Sequence, residues 1–343
     1  MTDVTLHGEP VSAPVRSFGK RAVSTALYAL VAALALVTPL LVFLPAVLLH
    51  CGIRNGKRAA WIVMIVATAL ALLLVIPGAS SSQSTPAQAN SGYAALYGAV
   101  LAIGLPALLV LPMVERGERF GRVLMFALLL ATAGMFATEG IMRATASYSP
   151  YAEQLAMSRA LGVNVVDGYQ QKGAPADSVR MLRKWINLGI YVQPASILAF
   201  ITLIFVISMM LVGRLRAWRQ LVAARALPAP APYLFRNLQW PEWLLFAFVL
   251  GGISPLTSGL VQHIGANVLA IVCFLYFLQG LAIFRAFLAA AGGGLVVLAW
   301  GTLCLLMVTG LGGVMLAIAG LFDSFFDFRH FNRKDHSDES HSH

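Results

Sequence analysis

Residues 57–78, KRAAWIVMIVATALALLLVIPG, decide the fold class. Two cations precede an uncharged apolar run of about the 20 residues that a helix needs to cross the hydrocarbon core of a bilayer. The uncharged stretch continues from residue 59 to residue 113. Further out, residues 22–53 carry no charge and residues 243–322 carry only Arg285. The sequence therefore predicts an all-α, polytopic transmembrane helical bundle with eight to ten crossings.

The composition of the 343-residue chain supports this fold class. Apolar residues make up 59% and charged residues 11%, whereas an average globular protein has about 45–50% and about 25%. A soluble Rossmann-type enzyme, a secreted disulfide scaffold and a nucleic-acid-binding domain are excluded on this ground. The net charge of +10 comes from Lys and Arg beside the apolar spans, the pattern of cytoplasmic loops. Three cysteines without a CxxC pair predict neither a disulfide framework nor a zinc site.

Charge and hydropathy together predict the order of segments along the membrane. Both termini are expected in the cytoplasm. The predicted segments are a cytoplasmic tail (1–21), N-terminal transmembrane helices (22–142), an external amphipathic segment (143–188), a transmembrane helix (189–213), a cytoplasmic basic and Pro-rich linker (214–242), C-terminal transmembrane helices (243–322) and a cytoplasmic polar tail (323–343).

Two of these regions need a finer prediction. The stretch 22–49 has basic residues at both ends, so it is expected to form two short helices or a re-entrant hairpin kinked near Pro39. The C-terminal region is expected to hold about four passes, near 243–260, 264–284, 287–304 and 306–322.

A stripe of small residues lies on one face of the first helix, at Ala22, Ala26, Ala29 and Ala33. Helices in lipid approach each other through such residues. The stripe predicts either internal helix packing or a lipid-facing docking surface for another membrane subunit.

Six polar residues in apolar surroundings are candidates for ligand binding. Glu139 lies inside an apolar span and can pair with Arg143 four residues later. The others follow a helix broken by Gly and Pro, which can line a ligand site: Ser254, Thr257, His263, Asn267 and Gln279. Packing or interfacial hydrogen bonding is the alternative for each. Asn267 and Gln279 are expected about 120° apart around a helix and so should contact different partners.

The C-terminal half resembles a known family. The features are Trp-Pro-Glu-Trp at 240–243, Asn267 followed by an apolar run to Gly280, and Gly320-Leu-Phe-Asp323 leading to Asp327-Phe-Arg329. In these the chain resembles the YybS-like family of predicted bacterial membrane proteins, a family of unknown function. The resemblance implies a fold remotely similar to the substrate-binding subunits of energy-coupling-factor transporters. Those subunits bind a small metabolite and dock on a transmembrane coupling subunit, partly through small residues of their first helix.

Three functions follow as hypotheses. The leading one is a multi-pass subunit of the bacterial cytoplasmic membrane that binds or transports a small molecule with a membrane partner. The alternative is a non-transporting scaffold for envelope or cell-division machinery, motivated by the basic loops and the Pro-rich stretch 227–232. A membrane-embedded enzyme would rest on Glu139 and His263 alone. No P-loop, HExxH or GxSxG motif is present, so we expect no enzyme, no cofactor, no metal and no nucleic-acid partner.

Overall fold

The computed structural model describes residues 18–79, 86–224, 233–290, 294, 301, 304 and 309–326. Within these ranges the chain contains helices and turns and no β-strand. Five of the described helices are long and apolar enough to cross a membrane: Lys57–Ile76, Gln88–Glu115, Phe120–Ala146, Gln193–Arg214 and Gly259–Phe287. The predicted all-α, polytopic helical bundle is therefore confirmed.

The α-helices are numbered here in chain order. They are α1 (Phe18–Val37), α2 (Leu44–Asn55), α3 (Lys57–Ala79), α4 (Pro86–Gly98), α5 (Leu105–Glu115), α6 (Phe120–Ala146), α7 (Pro150–Gln171), α8 (Ala176–Tyr191), α9 (Gln193–Arg214), α10 (Arg216–Ala224), α11 (Leu244–Ile253), α12 (Gly259–Ala290) and α13 (Thr309–Phe326).

The first apolar stretch folds back on itself. A 3₁₀ turn, Pro39–Phe43, separates α1 from α2 and begins where proline cannot donate a backbone hydrogen bond. Two contacts show that the helices are antiparallel. Asn55 donates to Ser24 Oγ at 3.2 Å, and the Tyr28 hydroxyl lies 3.0 Å from His50 Nδ1. Of the forms predicted for residues 22–49, the structure has two short helices joined as a hairpin.

Helices α4 and α5 form one continuous span through a π-helical segment, Ala99–Gly104. Pro106, in the first turn of α5, has no amide hydrogen to donate back along the helix, which explains the wider turn before it. The first helix of this span begins at Pro86.

Small residues bring the central helices together. The fully buried alanines include Ala60, Ala67, Ala107, Ala127 and Ala131. Since lipid is as apolar as the helices, close van der Waals packing through small residues drives association in a membrane. The exposed faces carry Leu, Ile, Val and Phe, as a lipid-facing surface should.

The basic loops meet at one end of the bundle, called the basic end. Lys57, at the start of α3, lies 3.5 Å from Glu115, at the end of α5. Tyr233 donates to the Val114 carbonyl oxygen at 3.4 Å, and its ring lies 5.7 Å from that of Phe120. The α7–α8 hairpin lies at the other end, called the hairpin end.

The C-terminal helices differ in length from the predicted passes. Helix α11 has ten residues, so it is about half as long as a membrane-spanning helix, and α12 has 32 residues. Helices α12 and α13 are antiparallel, because Gly280 packs on Leu316 while Gly320 packs on Tyr276. Most of the predicted pass 287–304, the Pro-rich stretch 227–232 and the polar tail beyond 326 lie outside the described residues.

Candidate ligand-binding cleft

A half-open cleft of about 880 Å³ lies at the hairpin end, between α7 and α8. This volume is within the range of small-molecule sites. Its apolar wall consists of side chains that recur at helical spacing on the facing sides of the two helices: Leu155, Val163, Val166, Ile186 and Ile190. At Gly162 an added Cβ would lie 2.6 Å from Ile186 Cγ2, so the absence of a side chain allows this close contact between the helices.

Polar groups from three helices face the same space. Helix α7 contributes Arg159 and Asp167, and α8 contributes Arg183 and Asn187. Within the described residues neither arginine nor Asp167 forms an ion pair. Two guanidinium groups and one carboxylate therefore give the lining of the cleft a net positive charge.

His263 is the predicted site residue that lines this cleft. It enters from the first turns of α12, and its ring meets that of Tyr191 edge-on at a centroid distance of 4.6 Å. The sequence indicated this residue as a candidate. Its role as a ligand contact stays a prediction.

Asn267 fixes the α8 end of the cleft. The chain breaks between α8 and α9, where Pro194 prevents a continuous helix. Asn267 Nδ2 donates to the Tyr191 carbonyl oxygen at 3.2 Å, and its Oδ1 accepts from the Ala195 amide at 3.0 Å. The side chain thus satisfies backbone groups that the break leaves unpaired.

Glu139 fixes the other wall of the cleft, at the start of α7. Its Oε1 accepts from Arg143 Nε at 2.7 Å and from the Ser149 hydroxyl, and its Oε2 accepts from the Tyr151 amide at 3.1 Å. A carboxylate at a helix N-terminus satisfies unpaired amides and interacts favourably with the helix dipole. The predicted pair with Arg143 is present, and its main effect is to join α6 to α7.

Ser254 and Thr257 lie in the turn between α11 and α12. The Thr257 hydroxyl donates to the Ser254 carbonyl oxygen at 2.7 Å. Ser254 is buried against Gly265, and its hydroxyl has no hydrogen-bond partner among the described residues. Neither residue lines the cleft.

Gln279 lies about 18 Å further along α12 than Asn267 and contacts different groups, as predicted. Its Oε1 accepts from the Trp240 amide at 3.2 Å, and its Nε2 donates to Asp323 Oδ2 at 2.9 Å. Asp323 is buried, and it lies three residues before the end of α13. Asp327 and Arg329, predicted beside it, lie outside the described residues.

The alanine stripe divides between two environments. Ala29 and Ala33 are buried in the core, whereas Ala22 and Ala26 are exposed. Internal packing therefore accounts for the second half of the stripe, and a docking surface can include the side chains of the first half only.

Sequence reasoning missed most of the residues that line the cleft. Arg159, Asp167, Arg183 and Asn187 lie in the segment that was predicted only as external and amphipathic. For the two residues on α8, one signal was available. Arg183 and Asn187 are four residues apart, so they lie on one side of the helix, next to the apolar face that contains Ile186.

Other sites in the described part of the chain carry less chemistry. A groove of about 540 Å³ between α11, α12 and α13 is lined almost entirely by apolar side chains, including Phe274 and Ile318. No group of three or more His, Cys, Asp or Glu side chains lies close enough among the described residues to hold a metal ion.

A family model described as "Predicted membrane protein (DUF2232)" matches residues 22–324 of the chain. No curated protein and no solved structure matches the chain.

Proposed function

The chain belongs to the DUF2232 family of predicted membrane proteins. We propose that it is a membrane-embedded subunit that binds a small molecule in the cleft between α7 and α8. One observation carries the proposal: a cleft of about 880 Å³ combines an apolar wall with polar groups from three helices. Apolar pockets with a few convergent polar groups are the usual form of ligand sites.

The chemistry of the lining favours an amphipathic anion. Arg159 and Arg183 supply donors with the fork geometry that matches a carboxylate or phosphate. The apolar wall suits a hydrocarbon or ring portion, and Tyr151, Tyr191 and His263 supply aromatic edges. Asp167 can accept a hydrogen bond from a donor on the same ligand.

Transport would need a partner in this proposal, since the sequence has no nucleotide-binding motif. We place the protein in a bacterial cytoplasmic membrane, in a role similar to that of the energy-coupling-factor substrate-binding subunits. A membrane partner at α1 would meet Ala22 and Ala26 together with the exposed side chains of Val23 and Leu27.

The proposal is one of binding and not of catalysis. Both oxygens of Glu139 accept hydrogen bonds from the α6–α7 junction. The His263 ring meets the Tyr191 ring edge-on. The Ser149 hydroxyl beside Glu139 donates to that carboxylate and accepts from the Ala152 amide, so in this proposal it holds the α6–α7 junction together and does not act as a nucleophile.

The test is co-purification. We expect an anionic small molecule to be extracted from the purified protein and identified by mass spectrometry, and to be lost from Arg159→Gln/Arg183→Gln. Arg180→Gln is the matched control, because Arg180 lies on the same helix, pairs with Asp177 at 3.7 Å and does not line the cleft. Retention of the same molecule by the double variant, or its loss from the control as well, would contradict the proposal.

One observation favours the scaffold alternative. The basic end gathers exposed cations from helix ends and connections, including Arg54, Arg116, Arg214 and Arg236. Such a surface attracts acidic partners. Under this alternative, Arg116→Glu/Arg119→Glu would abolish recovery of acidic cytosolic proteins in pull-downs. Pull-downs unchanged by these substitutions would count against a scaffold.

A further inference from the structure

The α7–α8 hairpin carries a large apolar surface on its outer side. On α7 the side chains of Met157, Leu161 and Val165 are 65%, 56% and 45% exposed. On α8 those of Met181, Trp185 and Leu188 are 61%, 59% and 48% exposed. Steps of three and four residues make each set a continuous stripe along its helix. A soluble domain would not present two such stripes to water.

Both stripes point to the same side of the hairpin. We view each helix from its own N-terminus. In both views the stripe is rotated in the same sense, by about 120–140°, from the face that packs on the other helix. Because α7 and α8 are antiparallel, equal rotations bring the stripes to one side. The charged residues Arg159, Asp167 and Arg183 fall on the opposite side, where the cleft opens.

The connections of the hairpin hold it at the membrane. Three residues, 147–149, separate α7 from the spanning helix α6, and Val192 alone separates α8 from the spanning helix α9. Glu139 and Asn267 fix these two connections by hydrogen bonds to the backbone. The hairpin therefore starts and ends where two spanning helices leave the bilayer.

We propose that the α7–α8 hairpin lies on the lipid surface at the hairpin end, with its apolar face among the headgroups and upper acyl chains and the cleft turned toward water. Trp185 has the amphipathic ring that is enriched at this depth. Lys184, next to the stripe, can contact anionic lipid phosphates. The inference is independent of whether the cleft binds a ligand, because it uses the opposite face of the hairpin.

Site-directed spin labelling tests this placement. The full-length protein, with its three cysteines replaced, is reconstituted in vesicles of phosphatidylethanolamine and phosphatidylglycerol. Labels replace Leu161 and Leu188 on the apolar face, and Asp167 and Arg180 on the opposite face of the same helices. We expect the first pair to collide mainly with oxygen dissolved in lipid and the second pair mainly with a water-soluble nickel complex.

A second measurement keeps the native cysteines. Brominated lipids should quench part of the tryptophan emission, and this part should fall in Trp185→Phe. Equal access of nickel to all four labels, or equal quenching of the native protein and Trp185→Phe, would overturn the proposal. So would short distances between labels at Leu188 of different copies, because these would show that a second chain covers the face.

Discussion

At the break between α8 and α9, one side chain replaces hydrogen bonds that a helix would otherwise supply. Asn267 bonds the Tyr191 carbonyl oxygen and the Ala195 amide, and it also donates to the His263 carbonyl oxygen at 2.9 Å. We predict that Asn267→Ala lowers the free energy of unfolding by about 1 kcal/mol, because two backbone groups at the break lose their partner. Thermal unfolding in detergent measures the change, followed with a thiol-reactive dye in a background where Cys273 and Cys304 are replaced, so that only buried Cys51 reacts on opening.

The matched control for this substitution is Gln262→Ala, five residues earlier on α12. The Gln262 side chain makes no hydrogen bond within the described residues. Its removal should leave the unfolding temperature nearly unchanged. Equal losses in the two variants would show that Asn267 contributes only its general polarity.

Glu139 and Glu118 offer a second comparison of single residues. Each pairs with an arginine four residues later, at 2.7 Å and 2.8 Å, but only Glu139 also holds the first turn of another helix. We predict that Glu139→Gln speeds exchange of the amides of residues 151–153 by about tenfold, equivalent to about 1.4 kcal/mol of local opening. Glu118→Gln should not change exchange there. Hydrogen–deuterium exchange with mass spectrometry measures both, and unchanged exchange in the first variant would refute the junction role.

For single residues, the sequence shows which polar side chains lie in apolar surroundings, but it does not show which groups they contact. It indicated correctly that Asn267 and Gln279 face different groups, because their angular separation on one helix follows from spacing alone. It could not show that Asn267 meets α9 or that Gln279 meets Asp323. Those contacts join residues 72 and 44 positions apart, and they depend on how the helices assemble.

Among the elements, α6 shows how glycine sets the distance between helices. An added Cβ at Gly134 would lie 2.1 Å from the Leu101 carbonyl oxygen in the π-helical segment, whereas one at Gly140 meets nothing within 4 Å. We predict that Gly134→Ala destabilises the protein by about 1–3 kcal/mol through overpacking against backbone. Gly140→Ala, on the same helix, should be neutral or stabilise by up to about 1 kcal/mol. Thermal unfolding of both variants is the measurement, and equal stability of the two would contradict the packing.

Helix boundaries were predictable where a residue marks them. Pro39 marks the fold-back between α1 and α2, and Pro77-Gly78 lies near the end of α3. The boundaries of α11 and α12 were misjudged because residues 243–284 carry no charge to indicate where a helix leaves the bilayer. The π-helical segment was also missed, since its signal, Pro106, reads equally well as a kink.

For the whole molecule, the separation of charge is the property that the sequence expressed most directly. The loops expected in the cytoplasm contain Arg54, Lys57, Arg116, Arg119 and Arg214, and the structure brings them to one end. The common location of these loops follows from their order along the chain. Crossing segments alternate in direction, so an even number of crossings returns the chain to the same side. The cleft was less predictable, because it forms between two helices whose sequences are mainly polar.

The orientation of the two ends is the prediction on which the rest depends. With the natural cysteines replaced, we expect a cysteine at Ser158, on α7, to react with a membrane-impermeant maleimide added to intact cells, because the positive-inside rule places the hairpin end outside. A cysteine at Arg219, on α10 at the basic end, should react only after permeabilisation. The two positions control for each other, since both lie in helices outside the spanning segments. The reverse labelling pattern would place the cleft in the cytoplasm, so any ligand taken up there would have to come from inside the cell.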